Sequence, residues 1–250
     1  LRYFLELSYF GKQYHGWQTQ PNAISVQETV EQALKTILRQ PIAIVGAGRT
    51  DAGVHASQIF AHFDIENSLN EEETVYKLNA FLPKDIVIEA LFKVKDDAHA
   101  RFHATSRSYV YRLSTKKNSF NVNYAYCFKP DLNVSEMNKA AELLLGTKDF
   151  ECFSKSNSDV HTYNCTITEA KWVEVDNELH FKITADRFLR NMVRAIVGTL
   201  INVGIGKSSV NDVLTIIESK NRSEAGYSVP AHGLYLTQVT YPEDIYLNER

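Results

Sequence analysis

Cysteine is scarce in this chain. Cys127, Cys152 and Cys165 are the only three in 250 residues. An odd, scattered set excludes a disulfide framework and points to a reducing compartment. Cys152, His161 and Cys165 contain no CxxC or HxxxH pair among them and fit no common zinc spacing, so no metal is expected. Long hydrophobic runs are missing as well. The most apolar segment, MVRAIVGTLINVGIG, is short and carries Arg194, which is too little to cross a bilayer. The first residues, LRYFLELSYFG, lack the basic start, apolar middle and small-residue cleavage site of a secretion signal. These readings place the chain in the cytoplasm and away from membranes. Solenoid-type repeats and Pro/Gly/Ser linkers are absent. So is the GxxxxGK[ST] pattern that cradles nucleotide phosphates.

Excess charge is missing too. The formal net charge is −3 and the sequence pI is about 6.3, which by itself argues against a nucleic-acid partner. The distribution says otherwise. Acid gathers in DIENSLNEEE and YPEDIYLNER; base gathers in ARFHATSRSYVYRLSTKK and DRFLRNMVR. In the first basic run Arg101, Arg107, Arg112, Lys116 and Lys117 meet no acid. Segregated signs are compatible with one positive face.

The length suits one large domain or two small ones, with enough chain to bury a core. Residues 1–9 alternate as a strand. SVQETVEQALKTILRQP reads as a helix: Ser25 and Glu28 make a capping box, Val26, Val30, Ala33, Leu34, Ile37 and Leu38 make one stripe, and Pro41 stops it. Strands are expected at Ile42–Val45 and SQIFAHFDI, a helix at NEEETVYKLNAFLP capped by Asn70 or Ser68, and a strand at DIVIEALFKVK. Further on come tyrosine-rich strands RSYVYRLST and YAYCFKP, a helix NVSEMNKAAELLLG, and a hairpin turning at Asp176-Asn177. A long helix RFLRNMVRAIVGTLINVG and a final strand GLYLTQVTYP complete the chain. The fold class is α+β: two pseudo-duplicated halves, 1–105 and 106–250, of mostly antiparallel sheet flanked by helices, with an active-site cleft between them.

The stretch VGAGRTDAGVHASQIFAHF carries the most chemistry. Gly46, Gly48 and Gly53 allow unusual backbone angles and close approach by a ligand. Asp51 can serve as base, nucleophile or metal ligand, and Arg49 can favour its ionised form. The alternative is a tight turn with a surface ion pair. His55 is a proton shuttle or a packed histidine. In the long helix Arg187, Arg190 and Arg194 fall at i, i+3 and i+7, one stripe that suits phosphates or a buried carboxylate. Arg194, followed by apolar sequence, needs a buried partner. Tyr109 and Tyr111 share a strand face between Arg107 and Arg112, suited to stacking bases or to a half-buried strand.

GRTDAGVHA, together with GWQTQPNAISVQETVEQAL, ARFHATSRSYVYRL, FLRNMVRAIVGTLINVG and PAHGLYL in that order, resembles the TruA family of tRNA pseudouridine synthases. The resemblance covers essentially the whole chain. The family's usual Tyr-Asp-Gly-Thr is here Tyr9-Phe10-Gly11-Lys12, Asp186-Arg187 precedes the helix phenylalanine where Asn-Gly or Asn-Ala is common, and His103 replaces a common serine. The resemblance implies an isomerase in which Asp51 is the nucleophile. Tyr109 would stack on the target base, Arg194 would pair with Asp51, Arg49 would hold the extruded nucleotide or the RNA backbone, and Leu234 would line the uracil pocket. Arg187 and Arg190 are further candidates for RNA contact. It also implies a homodimer acting without cofactor on uridines of the tRNA anticodon stem-loop, positions 38 to 40. A catalytically silent RNA-binding module and an Asp-dependent hydrolase are the rival readings. The hydrolase would need a metal cluster or a second carboxylate near Asp51.

Overall fold

The computed structural model describes residues 1–155 and 160–247. The chain divides into two compact units, Leu1–Thr105 together with the chain from Leu236 onward, and Ser106–Tyr235. The sequence places everything after residue 105 in one half; in the structure the last strand returns to the first unit.

In the first unit, strands β1 (Arg2–Tyr9), β3 (His55–Asp64) and β4 (Ile86–Val94) form an antiparallel sheet with β1 at its centre. A short β2 (Val45–Gly46) extends β3, and β10 (Leu234–Thr240) lies on its other side. One face of β1 is buried and the other is buried only at Phe4. Tyr3, Leu5 and Leu7 sit opposite Phe63, Ala61 and Ile59 on one face. On the other, Phe4 meets Phe60, Phe92 and Tyr241. Helix α1 (Val26–Leu38) is capped by Ser25 Oγ, which accepts the Glu28 N–H at 3.1 Å. It buries Val26, Val30, Ala33 and Leu34 and ends at Arg39 in a left-handed conformation, two residues before Pro41. Asn70, not Ser68, caps α2 (Glu71–Phe81), and three glutamates fill its first turn, where the helix dipole favours them. Residues 42–44 are not strand. The Ile44 backbone is satisfied by α1 instead: its N–H donates to Glu31 Oε1 and its carbonyl accepts from Gln27 Nε2.

In the second unit the sheet order is β5 (Ser106–Ser114), β9 (Glu178–Ala185), β8 (Asn164–Val175) and β7 (Gly146–Asp149), antiparallel throughout. A two-residue β6 (Tyr126–Cys127) pairs with β5 in parallel. The β8–β9 hairpin turns at Asp176 and Asn177, both with positive φ (48° and 64°), as a type I′ turn demands. Helix α3 (Val134–Glu142) is capped by Asn133, which accepts from Glu136 N–H, and it stops at Leu143, short of Gly146. Helix α4 (Met192–Gly204) is buried on nearly every side except at Arg194 and Asn202, as its predominantly apolar sequence requires. A last helix, α5 (Asp212–Ser219), was not expected from the sequence.

Candidate active site

Asp51 lies in the loop joining β2 to β3, and its own residues explain little of how the loop is held. Asp51 and Val54 close a turn, Val54 N–H donating to the Asp51 carbonyl at 3.1 Å. Gly53 occupies the third position with φ 77°, which a side chain would strain. Gly46 serves close packing, since a Cβ there would meet the Trp17 indole at 2.4 Å. Gly48 faces open space. Of the three glycines, one is needed for its backbone angle and one for packing; the third leaves room.

The remaining support comes from residues 9–17, which sequence reasoning missed as part of the site. The hydroxyls of Tyr9 and Thr50 share a buried 2.8 Å hydrogen bond. Gly53 N–H donates to the Tyr14 carbonyl and Trp17 N–H to the Thr50 carbonyl. Tyr14 in turn donates its hydroxyl to Asp85 at 2.7 Å; burial and that carboxylate both raise its pKa far above the ordinary phenol value. Gly16 takes φ 94° and a Cβ there would lie 2.4 Å from the Thr50 carbonyl oxygen. The signal was in the sequence: two glycines inside the aromatic stretch YFGKQYHGW are costly unless the backbone must pass close to something. The outcome is a half-buried Asp51 side chain on a fixed backbone, with Arg49 exposed beside it. His55 is buried and its Nδ1 accepts the Gly11 N–H at 2.9 Å, so its place is inside the frame.

In the second unit, three sequence-predicted residues come together. Arg194, half-buried on the first turn of α4, donates from Nε to the Val229 carbonyl at 2.7 Å, and Val229 N–H returns to the Arg194 carbonyl. The same segment, 229–234, reaches β5: Tyr111 Oη donates to the Pro230 carbonyl at 2.9 Å, and Gly233 packs on the Tyr111 ring. It ends at Leu234, which is buried. Tyr109 is half-exposed and meets Phe188 edge-on, ring centroids 5.1 Å apart. Tyr109 and Tyr111 share a face, but they are not a stacking pair. Segment 229–233 covers Tyr111 completely, making it core, and burial raises its hydroxyl pKa well above the ordinary value.

Two expectations are corrected here. Arg187, Arg190 and Arg194 do not form a helical stripe, because α4 begins at Met192. Asn191 stands in the left-handed region, φ 68°, with its amide donating to Ser228 Oγ at 2.6 Å. Asp186 fixes the approach to it by accepting the N–H groups of Thr166 and Arg187. The basic run through β5 is also less open than its composition implies. Arg112 is committed to the buried Glu178 carboxylate at 2.9 Å and lies over the Tyr235 ring, while Arg107 donates to the Asp186 carbonyl. Arg49, Arg101, Lys116, Lys117 and Arg190 are exposed. Cys152 and Cys165 are buried, and burial pushes each thiol pKa up to about 12, far from the thiolate a metal would need.

A family model described as tRNA pseudouridine synthase matches residues 7–103 and 140–242. The chain belongs to the tRNA pseudouridine synthase family. Among its relatives, the tRNA pseudouridine synthase A of Porphyromonas gingivalis is 53% identical, over 98% of this chain and 99% of that protein. The enzyme of that name from Bacteroides fragilis is 51% identical, over 98% of each. The one from Bacillus subtilis is 42% identical over 94% of this chain and 97% of its own length.

Proposed function

We propose that this protein converts uridine to pseudouridine in the anticodon stem-loop of tRNA, at positions 38 to 40, with Asp51 as the nucleophile and no cofactor. The observation that carries the reading is the half-buried Asp51 carboxylate on a backbone held from both sides, within the stretch matched by the family model. The bookkeeping of the reaction is internal. The bond from ribose C1′ to N1 breaks, a bond from C1′ to C5 forms, the C5 proton leaves and N1 gains one. The carboxylate adds to C1′ of the sugar or to C6 of the base, and it must be ionised to do either. Arg194 is the positive charge that would pair with it. The target base must leave its stack, which costs a few kcal/mol. Tyr109, whose ring is braced by Phe188 and partly open, recovers part of that by stacking, and Leu234 provides an apolar wall. Arg49 and the other exposed cations, with Arg187, hold phosphates. The protein works as a homodimer in the cytoplasm.

The test is Asp51→Asn assayed for pseudouridine formation in a tRNA transcript. Loss of turnover with tRNA binding retained is expected; unchanged turnover overturns the assignment. Mapping pseudouridine in tRNA from cells with and without the protein checks the substrate, and loss at positions outside the anticodon stem-loop overturns that part.

A further inference from the structure

Phe10 follows directly on β1, and the structure gives that residue a task. The Phe10 ring lies flat against the His55 imidazole, centroids 4.2 Å apart and planes inclined by 12°. Beneath the stack, Gly11 N–H donates to His55 Nδ1 at 2.9 Å. The backbone passes so close to the loop that a Cβ on Gly11 would lie 1.9 Å from the Val54 carbonyl oxygen. Phe10 itself is anchored from behind, its N–H donating to the Asp85 carbonyl at 2.8 Å, and Asp85 also receives the Tyr14 hydroxyl. His55 begins β3 directly after Val54, which closes the turn onto Asp51.

We propose that Phe10 and His55 are a positioning pair for the Asp51 carboxylate. The stack and the Gly11–His55 hydrogen bond fix the exit of loop 50–54, as Tyr9–Thr50 and Trp17–Thr50 fix its entry. Held at one end only, a five-residue turn can pivot. Held at both, it presents the carboxylate in one direction, and small misplacements of a reacting group cost rate rather than binding. His55 serves as an acceptor at Nδ1 in this arrangement. That role needs the proton on the other ring nitrogen and excludes the doubly protonated form, which has no acceptor. Phe10 is half-exposed, so it contributes through the stack more than through core volume. The inference rests on Asp51 being the nucleophile.

Phe10→Leu keeps an apolar side chain and removes the stack, whereas Phe10→Tyr keeps both. Single-turnover isomerisation rate, tRNA dissociation constant and thermal midpoint are measured for each, beside Asp51→Asn. Phe10→Leu is expected to slow the single-turnover step by about tenfold, to leave the tRNA dissociation constant within about twofold, and to be rescued by tyrosine. An unchanged single-turnover rate in Phe10→Leu, or a loss that tyrosine does not restore, overturns the positioning role. So does a lower midpoint with the rate per folded molecule intact, the mark of a purely structural residue. If Asp51→Asn is inactive while Phe10→Leu is fully active, the pair fails and the nucleophile stands. If Asp51→Asn keeps its turnover, both fall.

Discussion

The Asp51 loop and the Arg194 neighbourhood are built by opposite means. The loop is a main-chain construction. Most of its bonds run from backbone N–H groups to backbone carbonyls, beside the hydroxyl pair of Tyr9 and Thr50, with glycines where two strands of chain come close. Around Arg194 the side chains do the work: the guanidinium holds Val229, Tyr111 holds Pro230, and the Asn191 amide reaches Ser228. A functional group in the first arrangement can be changed without disturbing its support, whereas in the second the functional group is part of the support.

The largest expected effect separates these two directly. Asp51→Asn should lower turnover by about 10⁴-fold or more while costing less stability than Arg194→Met, because the main-chain bonds that hold loop 50–54 stay in place. Arg194→Met should lose both. It removes charge from the proposed site and also strands the buried Val229 carbonyl, at a cost of about 1–3 kcal/mol. Equal stability of the two variants, by urea titration, would erase the distinction.

Next in size is the glycine test of the frame. Gly11→Ala places a Cβ 1.9 Å from a backbone oxygen, and backbone cannot swing aside as a side chain would. A loss of about 3 kcal/mol or more is expected. Gly48→Ala meets nothing within 4 Å and should fold normally. If Gly48 leaves room for RNA, the alanine weakens tRNA binding without lowering the thermal midpoint.

The same contrast explains what could be read from the sequence. Helices α1, α2 and α3 and the β8–β9 hairpin are specified by neighbours in the chain: Ser25, Asn70 and Asn133 at the N-caps, and Asp176-Asn177 in the turn. The start of α4 is not. FLRNMVR has helical periodicity, but Asn191 is pulled into the left-handed region by a serine 37 residues away. Ile42–Ile44 has strand composition, yet side chains of α1 take its backbone bonds. Among the residues of the proposed function, Asp51, Tyr109 and Arg194 stood out through residue type and motif. Their supports did not, because Tyr9, Tyr14 and Trp17 read as ordinary aromatics until the loop is seen against them. Tyr111 and Arg112 show the converse, residues that look functional by pattern and prove to be core and ion pair.

The smallest effects concern acid, and they distinguish the two units. In the first, buried His62 accepts the Ala100 N–H at Nδ1 and stands beside Phe4 and His99. Desolvation, with Arg2 and His99 adding to it, lowers its pKa from 6.5 to about 4. The unfolded chain therefore binds a proton below about pH 6.5 that the folded one refuses until about pH 4, so stability falls as pH drops through that window. The loss approaches about 2–3 kcal/mol. In the second unit, Glu178 is shifted in the same direction for the opposite reason, because its charged form is the one favoured. Burial pulls its pKa up, but hydrogen bonds from Arg112 and His180 outweigh that and hold it below the ordinary 4.5. Its contribution is complete above that value and disappears only as pH falls below it, through the folded pKa. The chain carries two tryptophans, Trp17 buried in one unit and Trp172 in the other. Single-tryptophan variants, Trp17→Phe and Trp172→Phe, thus report each unit separately. Between pH 6.5 and 4.5 the Trp17 signal should show the falling urea midpoint, and His62→Gln should flatten it. The Trp172 signal should hold until lower pH, and Glu178→Gln should lower the unfolding free energy it reports at neutral pH by about 1 kcal/mol. Coincident acid transitions in both probes, unaffected by His62→Gln, would mean that one cooperative unit titrates and that the two regions do not differ in this respect.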